Sequence, residues 1–480
     1  MEKIKSIDRE PSVNIPSKEE KGVIYPQLIA SFIISLALFT AGLCYSWSAI
    51  SFLHFEKYFP GISITEEQRS WVVSALLIGS CFGAITPSLL ADYIGRKWFL
   101  ILTCIPPIVS WALVYIAKNW TLLLVARLIS GLLIGALFTV VPQYISEIVE
   151  PRIRGASSVM MGLLLNLGYI TMYGIGPLVS GKILALICLV PSAILLLLFP
   201  WLPESPYYYL KKNKEKDAEI SLIWLRRSRD NKETLEKMNE FTEMEKGGSM
   251  KILFTDKVHR QSFLLALLLL AGQQCSGTIA VQSYIGIIVD QIHFPLDTNM
   301  ILIILGVINL VAGLAATFTI DRIGRKPLFL ISAYIAALSV GVLGTYFLLQ
   351  EKKFNTKSYA IVPIVAVVVF NTATSFGLVP IPAVVSSEIF PMNIKIWAGS
   401  VLNTFGAILS VIVSKTFEPI VTAWGLKTIF YIFALIEVII ATIAVFKMPE
   451  TSRKTFAEIQ HMLQGSNKTE EKQNEPKEVA

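Results

Sequence analysis

The apolar positions of this chain fall into long, nearly unbroken runs. They show neither the alternation of a half-buried strand nor the one-sided stripe of a surface helix. About 20 apolar residues rising 1.5 Å each cross the roughly 30 Å of a bilayer's hydrocarbon, so every such run predicts a membrane-spanning helix. Runs of this kind lie at about 27–50, 70–91, 98–117, 121–145, 159–180, 183–201, 261–289, 299–320, 327–349, 359–387, 398–423 and 427–447. The expectation is an all-α membrane protein of twelve spans, six on each side of a polar stretch. Its expected divisions are an N-tail (1–26), a six-helix bundle (27–202), a linker (203–260), a second six-helix bundle (261–447) and a C-tail (448–480). Within the linker, "KKNKEKDAEISLIWLRRSRDNKETLEKMNEF" sets apolar residues at helical spacing among charges, which predicts short amphipathic helices under the bundle.

Composition agrees with the pattern. The chain is 54% hydrophobic and only 16% charged, where a soluble chain carries about a quarter charged residues. The polar N-tail mixes Glu2, Asp8, Glu19 and Glu20 with its lysines, unlike the basic-then-apolar order of a cleaved signal. An even number of spans puts both tails on one side. The N-tail, the basic segment from Lys211 to Arg260 and the tail after Met448 assign that side to the cytosol of a plasma-membrane protein. The net charge of +7 sits in these segments, facing anionic lipid, and asks for no nucleic acid.

Little in the chain suggests covalent chemistry. The five cysteines lie inside apolar runs, the ordinary place of a small hydrophobe, and the four histidines sit in separate loops or tails without ligand spacing. No metal, cofactor or disulfide framework is expected. A phosphate-binding loop, a Ser-His-Asp set and paired catalytic carboxylates are all lacking, which argues against an enzyme.

One motif is written twice. "ADYIGRK" (91–97) follows span 2 and "IDRIGRK" (320–326) follows span 8, the same slot in each half. Glycine permits a tight turn there, and the arginine behind it can partner acids. Two such clusters are expected to bind where the halves meet.

With these motifs the chain resembles the sugar porter family of the major facilitator superfamily from Gln27 to about Gln460. The carrying residues are Asp92, Gly95, Arg96 and Lys97; Arg127 and Gly131; "YISEIVEPRIRG"; "PESP" at 203–206; "QQCSG" at 273–277; Asp321, Gly324 and Arg325; "SSEIFPMNIK"; and "PETSRKTFAEI" at 449–459. "PESPYYYL" and "SKTF" at 414–417 look like the insect facilitated trehalose transporter branch. The resemblance implies two parallel six-helix repeats with a sugar bound near the midplane between them. It implies a gating network closing the cytosolic side, made here of Asp92, Arg96, Glu147, Arg154, Glu204, Asp321, Arg325, Glu388, Lys395 and Glu450. It also implies that Gln273, Gln274 and Asn309 hold the sugar, with Tyr284 closing over it from outside.

Several positions depart from that family. Its span 5 glutamine falls on Gly162, with Asn166 one turn later on the same face as a substitute. Ile279 and Ser375 stand where an asparagine and an acid are usual, Ala383 replaces a tryptophan, and an asparagine–tryptophan pair falls on Gly406 and Ala407. The missing indoles imply a wider pocket, suited to a disaccharide. Proton-driven relatives carry an aspartate in span 1, where this chain has Cys44, so facilitated (uniport) transport of trehalose or a hexose is expected. A non-transporting sugar receptor and a carrier of another polar solute are the alternatives. Glu437 in span 12 is an unexplained intramembrane acid.

Overall fold

The computed structural model describes residues 22–228, 231–245, 252–452, 454, 458–459 and 462; most of both tails lies outside the described residues. Hydrocarbon offers no partner to a backbone N–H, so the apolar runs form helices whose backbone bonds are internal. Among the described residues twelve are long and apolar enough to cross a membrane: Tyr25–Leu53, Glu66–Ile94, Arg96–Ile116, Trp120–Ile148, Arg152–Leu178, Gly181–Trp201, Val258–Asp290, Thr298–Thr317, Arg325–Glu351, Ile361–Ile389, Trp397–Trp424 and Leu426–Lys447, here spans 1 to 12. The linker between spans 6 and 7 carries four short helices, Pro206–Lys211, Glu215–Arg226, Lys232–Glu245 and Ile252–Thr255. The second of these buries Ala218, Leu222 and Leu225 on one face, the amphipathic pattern read from the sequence.

Lipid tails are as apolar as leucine, so close backbone approach rather than oiliness holds neighbouring spans together. Gly131 of span 4 meets Gly79 of span 2, where a Cβ would stand 2.8 Å from the Gly79 Cα. Across the molecule, span 2 packs on span 11, span 1 on the C-terminal half of span 7, and span 5 on span 8.

Two spans of the second half are interrupted. Span 7 breaks at Gly277, whose φ of 80° and ψ of 8° lie in the left-handed region, into Lys257–Cys275 and Thr278–Asp290. Span 10 contains a π-helical turn, Thr374–Leu378, just before Pro380 and Pro382. Proline removes a helix bond and clashes with the preceding turn, and the wider π turn absorbs that misfit.

Candidate functional site

The tail face, which bears the linker, holds the two copies of the repeated motif. At Gly95 and Gly324 the chain takes the same turn, φ 100° and ψ 160°, so one helix ends and the next begins a single residue later. Each new helix then aims its first N–H groups at a carboxylate. Glu204 accepts from the N–H of Arg96 at 2.9 Å and of Lys97 at 3.1 Å. Glu450 accepts from the N–H of Arg325 at 2.9 Å and of Lys326 at 3.1 Å. A negative charge belongs at a helix N-terminus, and these bonds are charge-assisted. Burial pushes the Glu204 carboxyl above its ordinary value, outweighing the opposing pull of the N–H groups of Ser205, Lys97 and Arg96 and of the Arg96 charge.

The arginines complete the clusters. Arg96 reaches Asp92 at 2.7 Å, Glu147 at 3.1 Å and the Ala91 carbonyl at 3.1 Å. Arg325 reaches Glu388 at 2.9 Å, Ser452 at 3.0 Å and the Ile320 carbonyl at 3.4 Å. These bonds stay within one half of the molecule; none of them crosses to the other. Arg154 is exposed and makes no ion pair among the described residues. The side chains of Asp321 and Lys395 lie outside the described part of the chain.

The halves are joined on the opposite, far face. Arg69 at the start of span 2 donates to Glu418 of span 11 at 2.6 Å, and the Tyr284 hydroxyl donates to the other Glu418 oxygen at 2.9 Å. Thr422 donates to Glu66 at 2.8 Å, and the Lys415 ammonium lies 4.0 Å from the centre of the Trp71 ring. His54 and Asn299 meet at 2.9 Å. Tyr284 is 3% exposed and stacks on Phe417, ring centres 4.7 Å apart.

Between the two faces lie the amides. The Gln274 carbonyl oxygen accepts from Ser410 of span 11 at 2.7 Å, and Gln273 beside it is half-buried. Asn309 of span 8 is buried and its side-chain oxygen has no partner. Asn166 donates to the Gly162 carbonyl at 2.9 Å, and its amide nitrogen lies 3.9 Å from where a Cβ on Gly313 would stand. Gly162 faces open space, where a Cβ would meet nothing within 4 Å, and Ala383 is exposed. The slot at Gly406 is filled differently, with Leu270 3.1 Å from its would-be Cβ. Amides that donate and accept, one of them unpartnered, suit a neutral molecule rich in hydroxyls.

Arg127 of span 4 is buried beside span 1. It donates to the Cys44 carbonyl at 2.7 Å and to the Ser48 hydroxyl at 2.8 Å, and lies 4.9 Å from the centre of the Trp47 ring. Carbonyl, hydroxyl and indole face it where a carboxylate would make it a titrating pair.

Of the far-face set, sequence reasoning found Tyr284 but neither Arg69 nor Glu418. Arg69 and Glu418 are 349 positions apart, and each lies near the end of an apolar run, where a charge reads as an interfacial anchor. The available signal was Glu418 itself, an acid six residues inside the end of span 11.

Comparison with known proteins gives a consistent picture. The family described as "Sugar (and other) transporter" matches residues 28–463. The facilitated trehalose transporter Tret1 of Bombyx mori is 29% identical over 477 residues, 98% of this chain and 94% of that protein. The protein of that name from Polypedilum vanderplanki is 30% identical over 448 residues, 92% of this chain and 89% of that protein. Among solved structures, the inward-open xylose transporter XylE from E. coli superposes with a TM-score of 0.76 at 20% identity, covering 91% of this chain and 99% of that one.

Proposed function

This chain belongs to the sugar transporter family, and from that premise we propose that it is a facilitative carrier for trehalose or a related neutral sugar, working by alternating access in the plasma membrane with both tails in the cytosol. The tail face is then the inner face. The conformation at hand is inward-facing, its two six-helix halves clasped outside by Arg69, Glu418 and Tyr284. Opening outward would break that clasp and bring the inner clusters of Arg96 and Arg325, with Glu147, Arg154, Glu204, Glu388, Lys395 and Glu450, into the contact that closes the cytosolic side. Both states are needed, and neither can be favoured by more than a few kcal/mol without slowing the cycle.

The observation that carries the sugar reading is the amide set, above all the buried, unpartnered oxygen of Asn309. A buried acceptor without a partner costs about 1–3 kcal/mol, and a sugar hydroxyl would recover it. Gly162 and Ala383 leave room beyond a single ring, which supports a disaccharide. Facilitation rather than proton symport is supported by Arg127, whose partners in span 1 are the Cys44 carbonyl and the Ser48 hydroxyl, with no carboxylate among them.

Uptake of radiolabelled trehalose and glucose into oocytes tests the reading. Wild type should equilibrate trehalose without accumulating it against a gradient, whatever the protonophore. Gln274→Ala should lose most of this uptake at normal surface expression, and Ala383→Trp should depress trehalose more than glucose. Uptake unchanged within twofold by Gln274→Ala would refute the site, and accumulation against a gradient would refute facilitation.

A further inference from the structure

Glu437 lies in the middle of span 12, 1% exposed, and among the described residues neither of its carboxylate oxygens has a hydrogen-bond partner. Spans 7, 9 and 11 pack against this helix. From span 7 the titratable neighbour within electrostatic reach is the Cys275 thiol. The charged or titratable groups of the other elements are committed at other levels. On span 9, Tyr334 bonds Thr442 and Tyr346 donates to the Ile292 carbonyl. On span 11, Lys415 and Glu418 take part in the outer clasp. On span 12 itself, Tyr431 bonds Thr345 and Lys427 pairs with Glu351. Among the described residues no cation offsets a charge on Glu437. A bare carboxylate cannot stand in such a place; a neutral carboxylic acid can.

The surroundings tie this acid to the outer clasp. Span 12 lies against the broken segment of span 7 with no space to spare. A Cβ on Gly272 would stand 2.9 Å from the Ile440 side chain, and one on Gly277 would overlap the Phe433 ring. Phe433, one turn from Glu437, stacks on Phe417 with ring centres 6.4 Å apart, and Phe417 stacks on Tyr284 at 4.7 Å. Tyr284 in turn donates to Glu418. A continuous column of rings therefore runs from the clasp to the helix seam that seals Glu437. When Tyr284 withdraws, the column loses its outer ring and the seam between spans 7 and 12 must repack.

Resting on the alternating-access reading, we propose that Glu437 is a proton-binding site: it holds a proton while the outer clasp is shut and releases it to external water when the clasp opens. The O–H bond breaks, the electron pair stays on the carboxylate and water takes the proton. Since uptake and release both occur from outside, no proton is carried across. Proton binding favours the clasped state, so external acid holds the carrier inward-facing and external alkali frees it.

Infrared spectroscopy of the full chain in liposomes reads the protonated acid directly through its carbonyl stretch, without sugar or transport. Between about pH 5 and about pH 9, a range on both sides of neutrality, wild type should show a band that fades as the pH rises. Glu437→Gln should lack it and Glu437→Asp should keep one. Glu418→Gln, which weakens the clasp, should make the wild-type band fade at lower pH. A spectrum with no band assignable to Glu437 overturns the proposal, and so does a band whose titration ignores Glu418→Gln. Either failure leaves the sugar reading standing, since that reading falls only on uptake.

Discussion

The Arg96 and Arg325 clusters are the same construction built twice, and they are not equally firm. In both, a glycine at φ 100° ends one helix, and the next helix points its first N–H groups at a distant glutamate. Yet the Arg96 side chain is wholly buried, while that of Arg325 is 11% exposed and its partner Glu388 24%. Around Arg96 the first half adds further ties. Tyr208 donates to the Tyr93 carbonyl at 2.9 Å, Tyr144 donates to the Pro203 carbonyl, and the linker's Ser221 donates to the Glu204 carbonyl at 2.5 Å. Among the described residues the second half adds Ser452 on Arg325, and it also contains the left-handed break of span 7 and the π turn of span 10. The contrast is one of sealing: the cluster of the first half shuts its arginine away, while that of the second leaves its arginine within reach of water.

Removing each arginine tests that contrast most severely. Arg96→Ala strands the largely buried Glu147, and breaking a buried pair costs about 3–5 kcal/mol. Loss of folded protein in detergent is therefore expected. Arg325→Ala, at a site water can reach, should fold and melt closer to wild type. Equal damage in thermal unfolding assays would mean that the two halves are equivalent.

A smaller effect is expected at the outer face. Glu418→Gln removes the charge that Arg69 and Tyr284 share, and a hydrogen bond to a charged group contributes about 1.5–3 kcal/mol. The equilibrium should move outward by about tenfold to a hundredfold. Labelling of a cysteine placed at Thr422 from the external side should speed up correspondingly. Unchanged labelling would show that the clasp is incidental and that other contacts hold the outer side shut.

The smallest effect concerns pH. Because burial holds the Glu204 carboxyl above its ordinary 4.5, the folded state binds this proton more tightly than the unfolded one. The sign follows: this contribution to stability is complete below pH 4.5 and is lost as the pH rises through the folded-state titration. Melting curves of wild type should carry that slope above pH 4.5, and Glu204→Gln should flatten it. A slope that survives the substitution belongs to another group.

Much of this molecule was legible before any coordinates. The twelve runs fixed twelve helices, because a chain in hydrocarbon has no other way to satisfy its backbone. The doubled "IGRK" announced the doubled turn, since the φ of 100° it requires is one that glycine adopts without strain. Gln273, Gln274 and Asn309 could be singled out because their positions match the sugar-holding amides that the family resemblance implies. The ion pairs described for the charged motifs each lie within one half, Arg96 with Asp92 and Glu147 and Arg325 with Glu388, and not between the halves as the sequence led one to expect.

What the tertiary structure decided is everything that depends on which distant residues become neighbours. Arg69 and Glu418 carry no local spacing that joins them; packing of span 2 on span 11 makes them a pair. That Leu270 packs against Gly406 is likewise a matter of which helices become neighbours. Glu437 was conspicuous as an acid in a greasy helix, but only the packing of spans 7, 9 and 11 determined that no partner among the described residues meets it. Hydrophobic periodicity is a property of single segments, so sequence alone sets the helices. Charge pairing and burial are properties of pairs of segments, and only the fold assigns those.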